Sequence, residues 1–211
     1  AIPGTACRHI VTTAVGDLLP FPKRQLVNFI VRRVKKLVPS YSLQNAVSLR
    51  EAISQGRAAG FQPVNVKRED IAFLQYTGGT TGIAKGAELT HRNVIANIEQ
   101  IGAWISSTFK QGEEVVLTAL PLYHIFSLTA TLVFTSWAAT MVLITDPRDI
   151  DGLAKECIKW DFSVIIGVNT LFAALLRNAR FCSHRFTRLK MTCGGGSQVQ
   201  RIVADAWKKQ T

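Results

Sequence analysis

The sequence predicts an α/β fold with a mainly parallel sheet flanked by helices. Short runs rich in β-branched and apolar residues alternate with longer segments of helical periodicity. Hydrophobic residues make up 47% and charged residues 18% of the 211 positions, which is typical of a globular protein rather than a disordered one. Strands that alternate with helices need crossover connections, and a crossover leaves neighbouring strands parallel.

The five predicted strands are apolar runs, at residues 71–76, 115–120, 140–145, 163–168 and 189–192. Helices are predicted at residues 90–105, 125–137, 150–159, 170–178 and 198–209. Thr90 is of a type that caps helix N-termini, so the first of these helices is expected to begin there. The chain before Asp70 is helical in pattern and poor in strands. Residues 1–69 are therefore predicted to form a helical connecting segment, and residues 70–211 an α/β subdomain.

One apolar stretch is long enough to resemble a membrane span. Residues 115–145 contain no Asp, Glu, Lys or Arg, and about 20 apolar residues suffice to cross a bilayer. Pro121, His124 and several hydroxyl side chains interrupt the stretch. It divides into strand, helix and strand, so the sequence predicts a buried core segment and not a span.

The net charge of +11 calls for an anionic partner or surface. The cations are grouped, with one cluster at Lys23, Arg24, Arg32, Arg33, Lys35 and Lys36. A second cluster lies near the C-terminus, at Arg185, Arg188, Lys190, Arg201, Lys208 and Lys209. Neither cluster has an aromatic RNP strand or a Cys/His finger beside it, so no nucleic-acid partner is predicted.

The four cysteines are Cys7, Cys157, Cys182 and Cys193. They include no Cys-x-x-Cys pair and no histidine at zinc-finger spacing, which favours reduced thiols over a disulfide framework or a metal site. The first residues lack a basic start followed by an apolar stretch, so no signal peptide is predicted. These features predict a cytoplasmic protein.

The most informative motif is the segment YTGGTTGIAKG, residues 76–86, between a predicted strand and a predicted helix. Glycines let backbone N–H groups approach an anion, threonines add hydroxyl donors and lysine adds positive charge. The predicted phosphate cradle consists of Thr77, Gly78, Gly79, Thr80, Thr81, Gly82 and Lys85. It is not a Walker A loop, because Ala84 and Gly86 occupy the positions that would need Gly and Ser or Thr. The alternative is a flexible surface turn.

This loop resembles the phosphate-binding signature of the adenylate-forming (AMP-binding) superfamily, which includes acyl-CoA synthetases, luciferases and peptide-synthetase adenylation domains. Five further segments resemble successive blocks of the bacterial long-chain-fatty-acid–CoA ligases: GAELTHRNVIANIEQ, TALPLYHIFSLT, ITDPRDIDGL, GVNTLFAALL and CGGGSQVQ. Asn169 matches that subgroup, where many superfamily members carry proline. The resemblance implies that residues 70–211 are a nucleotide-binding subdomain of the large N-terminal domain of an acyl-CoA synthetase (ANL) fold.

The resemblance also implies a reaction in two half-steps. A long-chain fatty acid attacks the α-phosphorus of ATP to give acyl-adenylate and pyrophosphate, and CoA then displaces AMP. Mg²⁺ and loop donors neutralise the phosphates. Thr77, Gly78, Gly79, Thr80, Thr81, Gly82 and Lys85 would hold the β- and γ-phosphates, and Thr80 and Thr81 are also the first candidates for catalytic hydroxyls.

Two more sites follow from the resemblance. His124 would contact the acyl carboxylate and the adenylate, and Gly194, Gly195 and Gly196 would line the adenine and acyl pocket. Each site has a structural alternative. His124 could be a histidine at a helix N-terminus whose ring is hydrogen-bonded by backbone, and the glycine run could be a plain strand-to-helix turn. Tyr123 and Phe126 are expected to pack internally, and Val168 and Thr170 to lie beside the acyl tunnel.

Several family blocks would lie beyond Thr211. They are the acid that holds Mg²⁺, the ribose-binding Asp, the hinge and a small C-terminal domain with a catalytic Lys. No metal ligand and no C-terminal domain are therefore expected in this fragment, and the chain alone is predicted to be inactive. Apolar surface exposed by missing neighbours would favour association, so a homodimer is predicted.

The segment KRQLVNFIVRRVKKLV, residues 23–38 from Lys23 to Val38, is predicted to be one amphipathic helix. Its apolar stripe would consist of Leu26, Ile30, Val34, Leu37 and Val38. The basic remaining face suits an anionic membrane surface, which predicts peripheral association with the inner membrane. The alternative is a helix packed on its own domain with a solvated basic face.

Two other functions remain open at this point. The first is an adenylating domain for an aryl or amino acid, with the same chemistry and a different acid pocket. The second is a non-catalytic module for membrane or protein interaction that keeps only the fold.

Overall fold

The computed structural model describes residues 4–77 and 84–211. The cradle residues Gly78, Gly79, Thr80, Thr81 and Gly82 lie outside this part of the chain. Contacts group the chain into two compact units, Ala1–Asn65 and Val66–Thr211. Each unit is described by itself.

The first unit is small and mixed. Strands β1 (Ile10–Thr12) and β2 (Ala46–Ser48) pair in parallel. Helix α1 (Lys23–Phe29) continues into one π-helical turn, Ile30–Val34. Helix α2 (Leu49–Ala59) follows β2 directly, because the Ser48 hydroxyl accepts a hydrogen bond from the Glu51 N–H and caps it.

The prediction of one amphipathic helix over residues 23–38 is wrong in its extent. Regular helix ends at Phe29 and the π turn at Val34, after which Lys36 takes a left-handed conformation with φ 49°. Within the predicted apolar stripe, Leu26 and Val34 are 60% and 65% exposed, whereas Ile30 is half-buried. Val27 and Val31, four residues apart, are half-buried as well.

The second unit contains a four-stranded parallel sheet in the order β6-β5-β7-β8. Its strands are β5 (Val115–Thr118), β6 (Thr140–Leu143), β7 (Val164–Gly167) and β8 (Met191–Gly194). Its helices are α3 (His91–Ile105), α4 (Ile125–Ser136), α5 (Ile150–Trp160), α6 (Asn169–Leu175), α7 (Ala179–Cys182) and α8 (Arg201–Gln210). The predicted parallel α/β fold is thereby confirmed.

Ahead of the sheet lies an antiparallel hairpin of β3 (Ile71–Thr77) and β4 (Lys85–Thr90). Strand β3 was expected from the sequence, whereas β4 was not. At the end of β4, Thr90 caps α3: its hydroxyl accepts from the Asn93 N–H, and the Asn93 side chain accepts from the Thr90 N–H. The helix start expected at Thr90 is therefore confirmed.

The sheet is buried on both faces. Val116, Val164 and Ile166 point toward α3 and α4, and the alternate residues Leu117 and Ile165 point toward α5, α6 and α8. All four residues of β7 are fully buried, as expected of a central parallel strand.

The apolar stretch of residues 115–145 folds as β5, α4 and β6, as predicted. Among the described residues, no helix has both the length and the apolar character that crossing a membrane requires.

Candidate active site

The sheet has one position where ligands are expected. From β5 the chain passes through α4 to β6, which lies on one side of β5. From β7 it passes through α6 and α7 to β8, which lies on the opposite side of β7. The connections that follow the adjacent strands β5 and β7 therefore run in opposite directions along the sheet. Helix α4 packs on one face of the sheet and α6 on the opposite face. In open α/β sheets such a switch point forms a crevice at the carboxyl ends of the strands, where ligands bind.

His124 lies at this edge, between β5 and α4. It is the N-cap of α4, and its Nδ1 accepts a hydrogen bond of 3.3 Å from the Phe126 N–H. This backbone hydrogen bond is the one expected if His124 serves only as a helix N-terminal residue. In a neutral ring it leaves the proton on Nε2. Because the side chain is exposed, Nε2 is available to a ligand.

The β3–β4 hairpin presents the glycine–threonine segment. Thr77 pairs with Lys85 at the end of the ladder, so residues 78–84 connect the two strands. Next to this pair the Tyr76 ring covers Gly86, where an added Cβ would lie 3.4 Å from the ring. The roles predicted for the cradle residues stay predictions.

A side-chain hydrogen bond connects the hairpin to the histidine loop. The Gln75 amide donates to the Tyr123 carbonyl over 3.3 Å. Gln75 precedes Thr77 by two residues, and Tyr123 precedes His124. This hydrogen bond therefore holds the end of β3, from which the predicted phosphate loop begins, next to His124, the residue predicted to contact the acyl carboxylate. Tyr123 itself is 82% exposed, so the expectation that it packs internally is wrong.

The glycine run ends β8 at the same edge. The Gly195 N–H donates to the Gly167 carbonyl at the end of β7 over 3.2 Å. A Cβ on Gly195 would lie 2.8 Å from the Phe126 ring, and one on Gly194 would lie 2.5 Å from Val199. Phe126 was expected to pack, and the structure shows that it packs against the Gly195 backbone, which places the glycine run beside the helix that His124 caps.

Behind Phe126 lies an apolar pocket of about 150 Å³ between α3, α4 and the sheet. It is lined by Ile101, Trp104, Phe126, Thr129, Ala130, Val133, Phe134, Ile166, Met191 and Cys193. Burial raises the pKa of the Cys193 thiol, so this wall carries no charge at neutral pH. Val168 and Thr170 instead line a separate cavity of about 410 Å³ beside α6.

Metal ligands form no cluster in the described part of the chain, where no three His, Cys, Asp or Glu residues are grouped around one point.

Comparison with known proteins identifies the class. Residues 5–211 match the family described as AMP-binding enzyme. The chain belongs to this family. The region of the match covers the hairpin, the His124 loop and the glycine run.

The similar proteins include bacterial long-chain-fatty-acid–CoA ligases. The chain is 50% identical over 208 residues to the ligase of Escherichia coli O157:H7 and 49% identical over 211 residues to that of Haemophilus influenzae. Each match covers 98% of this chain and 37% of the relative, so the chain spans little more than a third of their length. A 4-coumarate-CoA ligase 2 of Narcissus pseudonarcissus is 30% identical over 158 residues, 74% of this chain and 28% of that protein.

Solved structures support the fold. The N-terminal domain of FACL13 from Mycobacterium tuberculosis superposes with a TM-score of 0.66 at 17% identity, over 83% of this chain and 45% of that one. O-succinylbenzoate Coenzyme A synthetase from Bacillus subtilis, solved with AMP, gives 0.61 at 19% identity, over 78% and 33%. The predicted ANL-type N-terminal domain is thereby confirmed as the fold.

Proposed function

We propose that the whole protein is an ATP-dependent long-chain-fatty-acid–CoA ligase, and that this chain supplies its phosphate loop and acyl pocket. The observation that carries the proposal is the position of His124. It lies between a hairpin that presents a glycine–threonine loop and an apolar pocket that begins at Phe126. An enzyme that joins a fatty acid to a nucleotide needs these three environments next to one another.

Adenylation brings an anionic carboxylate to an anionic polyphosphate, so charge must be neutralised and the two reactants held in line. Lys85 stands opposite Thr77 at the base of the loop. With the hydroxyls of Thr80 and Thr81 and the N–H groups of Gly78, Gly79 and Gly82, it would bind the β- and γ-phosphates. Pyrophosphate then leaves with these contacts in place.

His124 would orient the carboxylate. With Nδ1 occupied by the Phe126 N–H, a neutral ring presents Nε2–H as a donor. That donor suits a carboxylate oxygen before the reaction and the acyl-adenylate carbonyl afterwards. Because the helix cap fixes the ring, little reorganisation is needed between the two states.

The acid would be long and apolar. The pocket walls are aliphatic, aromatic and thiol side chains with a single hydroxyl, from Thr129. They offer no charged partner for an amino acid's ammonium group. The resemblance to the bacterial ligases favours a fatty acid over an aryl acid, and Gly194, Gly195 and Gly196 would let the acyl chain and the adenine contact bare backbone.

Mg²⁺ would enter with ATP and neutralise phosphate charge, and CoA would enter for the second half-step. The described ranges hold no group of three His, Cys, Asp or Glu residues around one point, and we propose none of them as a ligand of this Mg²⁺. We place the enzyme in the cytoplasm, at the inner membrane from which an apolar acid is drawn. The predicted homodimer remains open, and sedimentation velocity of the whole enzyme would test it.

The test is ATP–pyrophosphate exchange by the whole enzyme with palmitate, benzoate and an amino acid, compared with His124→Asn. Asparagine keeps a cap on α4 but loses Nε2. We expect palmitate-dependent exchange to fall by about a hundredfold, as when one preorganised donor is removed, with the thermal midpoint unchanged. The exposed His9 supplies the control, His9→Asn, which should retain exchange.

Exchange with benzoate or an amino acid but not palmitate would overturn the fatty-acid assignment. Absence of exchange with any acid, in a folded enzyme, would instead favour a non-catalytic module. Full activity of His124→Asn would leave the histidine as a helix cap only.

A further inference from the structure

The apolar pocket behind Phe126 is longer than it is wide. Along α4 its lining extends from Phe126 to Phe134, a separation of about 12 Å along the helix axis. Along β8 it reaches Met191, which lies about 13 Å along the strand from Gly195, where the Phe126 ring packs. The volume of about 150 Å³ is nevertheless that of a cavity that holds one benzene ring. The pocket is therefore a narrow channel.

This channel runs from the carboxyl edge of the sheet toward its amino edge. The end at Phe126 lies at the carboxyl edge, beside the glycine run. At the other end Phe134 packs edge-to-face against Phe109, with ring centroids 5.7 Å apart. Phe109 in turn lies 5.7 Å from the ammonium nitrogen of Lys190, the residue that immediately precedes β8. Because the Phe109 N–H donates to the Ile105 carbonyl, the C-terminal end of α3 is also at this amino edge.

Trp104 lies in the last turn of α3, at the amino-edge end of the channel. It is three residues from Ile101, so the two side chains share the face of α3 that lines the channel. Most of the indole faces away from the core of this chain, because the side chain is 75% exposed. Trp207 differs, since it is 6% exposed and its indole N–H donates to the Thr192 hydroxyl over 2.9 Å. Trp104 is therefore placed at the mouth of the channel and not within the core.

A long acyl chain exceeds what this channel encloses. In a bilayer such a chain spans half of a hydrocarbon core about 30 Å thick, which is about 15 Å. The channel is about 12 to 13 Å long and has the volume of about six carbons. If His124 holds the carboxylate, the surplus carbons emerge at the opposite end, next to Trp104.

We propose that Trp104 determines the acyl-chain length that the enzyme prefers, by covering the distal carbons of a long chain where they leave the channel. The proposal rests on the proposed ligase function, because it takes the channel to be the acyl site. An indole offers a large and rigid apolar surface, and each methylene removed from water strengthens binding by about fourfold. Octanoate, about 8 Å long, ends inside the channel and does not reach the indole.

The test compares palmitate with octanoate as substrates of the whole enzyme. In Trp104→Ala the ratio of kcat/KM for palmitate to that for octanoate should fall by at least about tenfold, the effect of uncovering about two methylenes. Trp104→Phe keeps an aromatic ring and should recover much of the ratio. The control is Ile95→Ala, a side chain 51% exposed on the same helix but outside the channel lining. Its ratio should stay within about twofold of the wild-type ratio, as for an ordinary surface substitution.

A second measurement needs no turnover. Palmitate should shift the tryptophan emission of the wild type to shorter wavelength, because the Trp104 indole leaves water when the distal carbons cover it. Octanoate should produce no such shift, and palmitate should produce none in Trp104→Phe. Thermal midpoints close to that of the wild type would show that the variants are folded.

An unchanged ratio in folded Trp104→Ala would overturn the proposal, and so would a palmitate shift that persists in Trp104→Phe. A gain of activity with palmitate in Trp104→Ala would also overturn it, since the indole would then obstruct the chain. Failure of the wild type to ligate either acid would instead contradict the proposed function. In that case the emission shift would still test the position of Trp104.

Discussion

The Lys190 ammonium nitrogen lies 2.5 Å from Oε1 of Glu114, a carboxylate whose side chain is only 1% exposed. Glu114 immediately precedes β5 and Lys190 immediately precedes β8. The pair therefore joins the amino ends of two strands separated by β7. Oε1 of Glu114 also accepts a hydrogen bond from the Lys110 N–H over 3.0 Å.

Lys190→Met should destabilise the chain strongly. Removal of Lys190 leaves the buried Glu114 carboxylate without its cation, which costs up to about 3 kcal/mol in the free energy of unfolding, because the lysine side chain is itself 36% exposed and partly screened by water. Urea unfolding measures the change. Lys110→Met is the matched control, because the Lys110–Glu113 pair is exposed and should contribute less than about 1 kcal/mol. Equal effects of the two substitutions would contradict the assignment.

The same carboxylate should make stability depend on acid pH. Burial would raise the pKa of Glu114, but hydrogen bonds from Lys190, Ser163 and the Lys110 N–H outweigh it and lower that pKa below its ordinary value. A lowered pKa in the folded state contributes stability that is present above the unfolded value, about 4.3, and is lost as pH falls through the folded value. The unfolding free-energy difference between wild type and Glu114→Gln should therefore shrink below about pH 4. A difference that stays constant down to pH 3, well under the reference value of about 4.3, would contradict this.

Gly195→Ala should disturb the site through Phe126. The new Cβ would lie 2.8 Å from the ring, and relieving such overpacking costs about 1–3 kcal/mol. We expect a lower thermal midpoint and a raised KM for palmitate in the whole enzyme. Adding Phe126→Leu should raise the thermal midpoint and lower the KM for palmitate part of the way back to the wild-type values. Gly56→Ala, inside α2 and with no atom within 4 Å of the added Cβ, is the control and should not destabilise the protein, since alanine is favoured over glycine in a helix by up to about 1 kcal/mol.

Gln75→Leu should weaken ATP binding without unfolding the protein. It removes the hydrogen bond to the Tyr123 carbonyl, so the hairpin loses a direct connection to the His124 loop. One such bond is worth about 1 kcal/mol, which predicts a rise of about fivefold in the KM for ATP. Gln55→Leu, on the exposed face of α2, should leave this KM unchanged. Equal KM values for all three proteins would mean that the hairpin is held by other contacts.

Cysteine labelling should report the order in which the core opens. Burial raises the pKa of the Cys157 thiol to about 12, so at pH 8 about one molecule in ten thousand carries the reactive thiolate. Cys7 is exposed. Iodoacetamide should therefore modify Cys7 first and Cys157 only in urea, as peptide mass spectrometry would show. Early modification of Cys157 would mean that α5 separates from the sheet under native conditions.

The sequence predicted the parts of the fold that are encoded locally. Strands such as β7 are buried on both faces and therefore appear as unbroken apolar runs. Strand β4 has no such signal, because its residues are exposed or half-buried and it depends on pairing with β3. The helix predicted over residues 23–38 stops early, since its periodic pattern gave no indication of the left-handed Lys36.

The site could be predicted only as separate motifs. Each of the loop, His124 and the glycine run has a recognisable local pattern. Their proximity depends on contacts between residues far apart in the chain, such as Gln75 with Tyr123 and Gly195 with Phe126. No spacing rule encodes those contacts, because they arise when the carboxyl ends of the parallel strands meet at one edge.

The Glu114–Lys190 pair and the His124 region occupy opposite ends of the same strands. Substitutions in the acyl pocket that lower the free energy of unfolding can therefore be offset by stabilising substitutions near the Glu114–Lys190 pair. The effects of such distant substitutions on the free energy of unfolding are close to additive. A library that randomises Ile101, Thr129 and Ala130, which line the pocket from α3 and α4, would start from a tolerant background if the amino-terminal ends of the strands were reinforced first. When new acid preferences are selected, the amino-terminal ends of the strands can thus be kept constant while the part of the pocket toward the opposite end is varied.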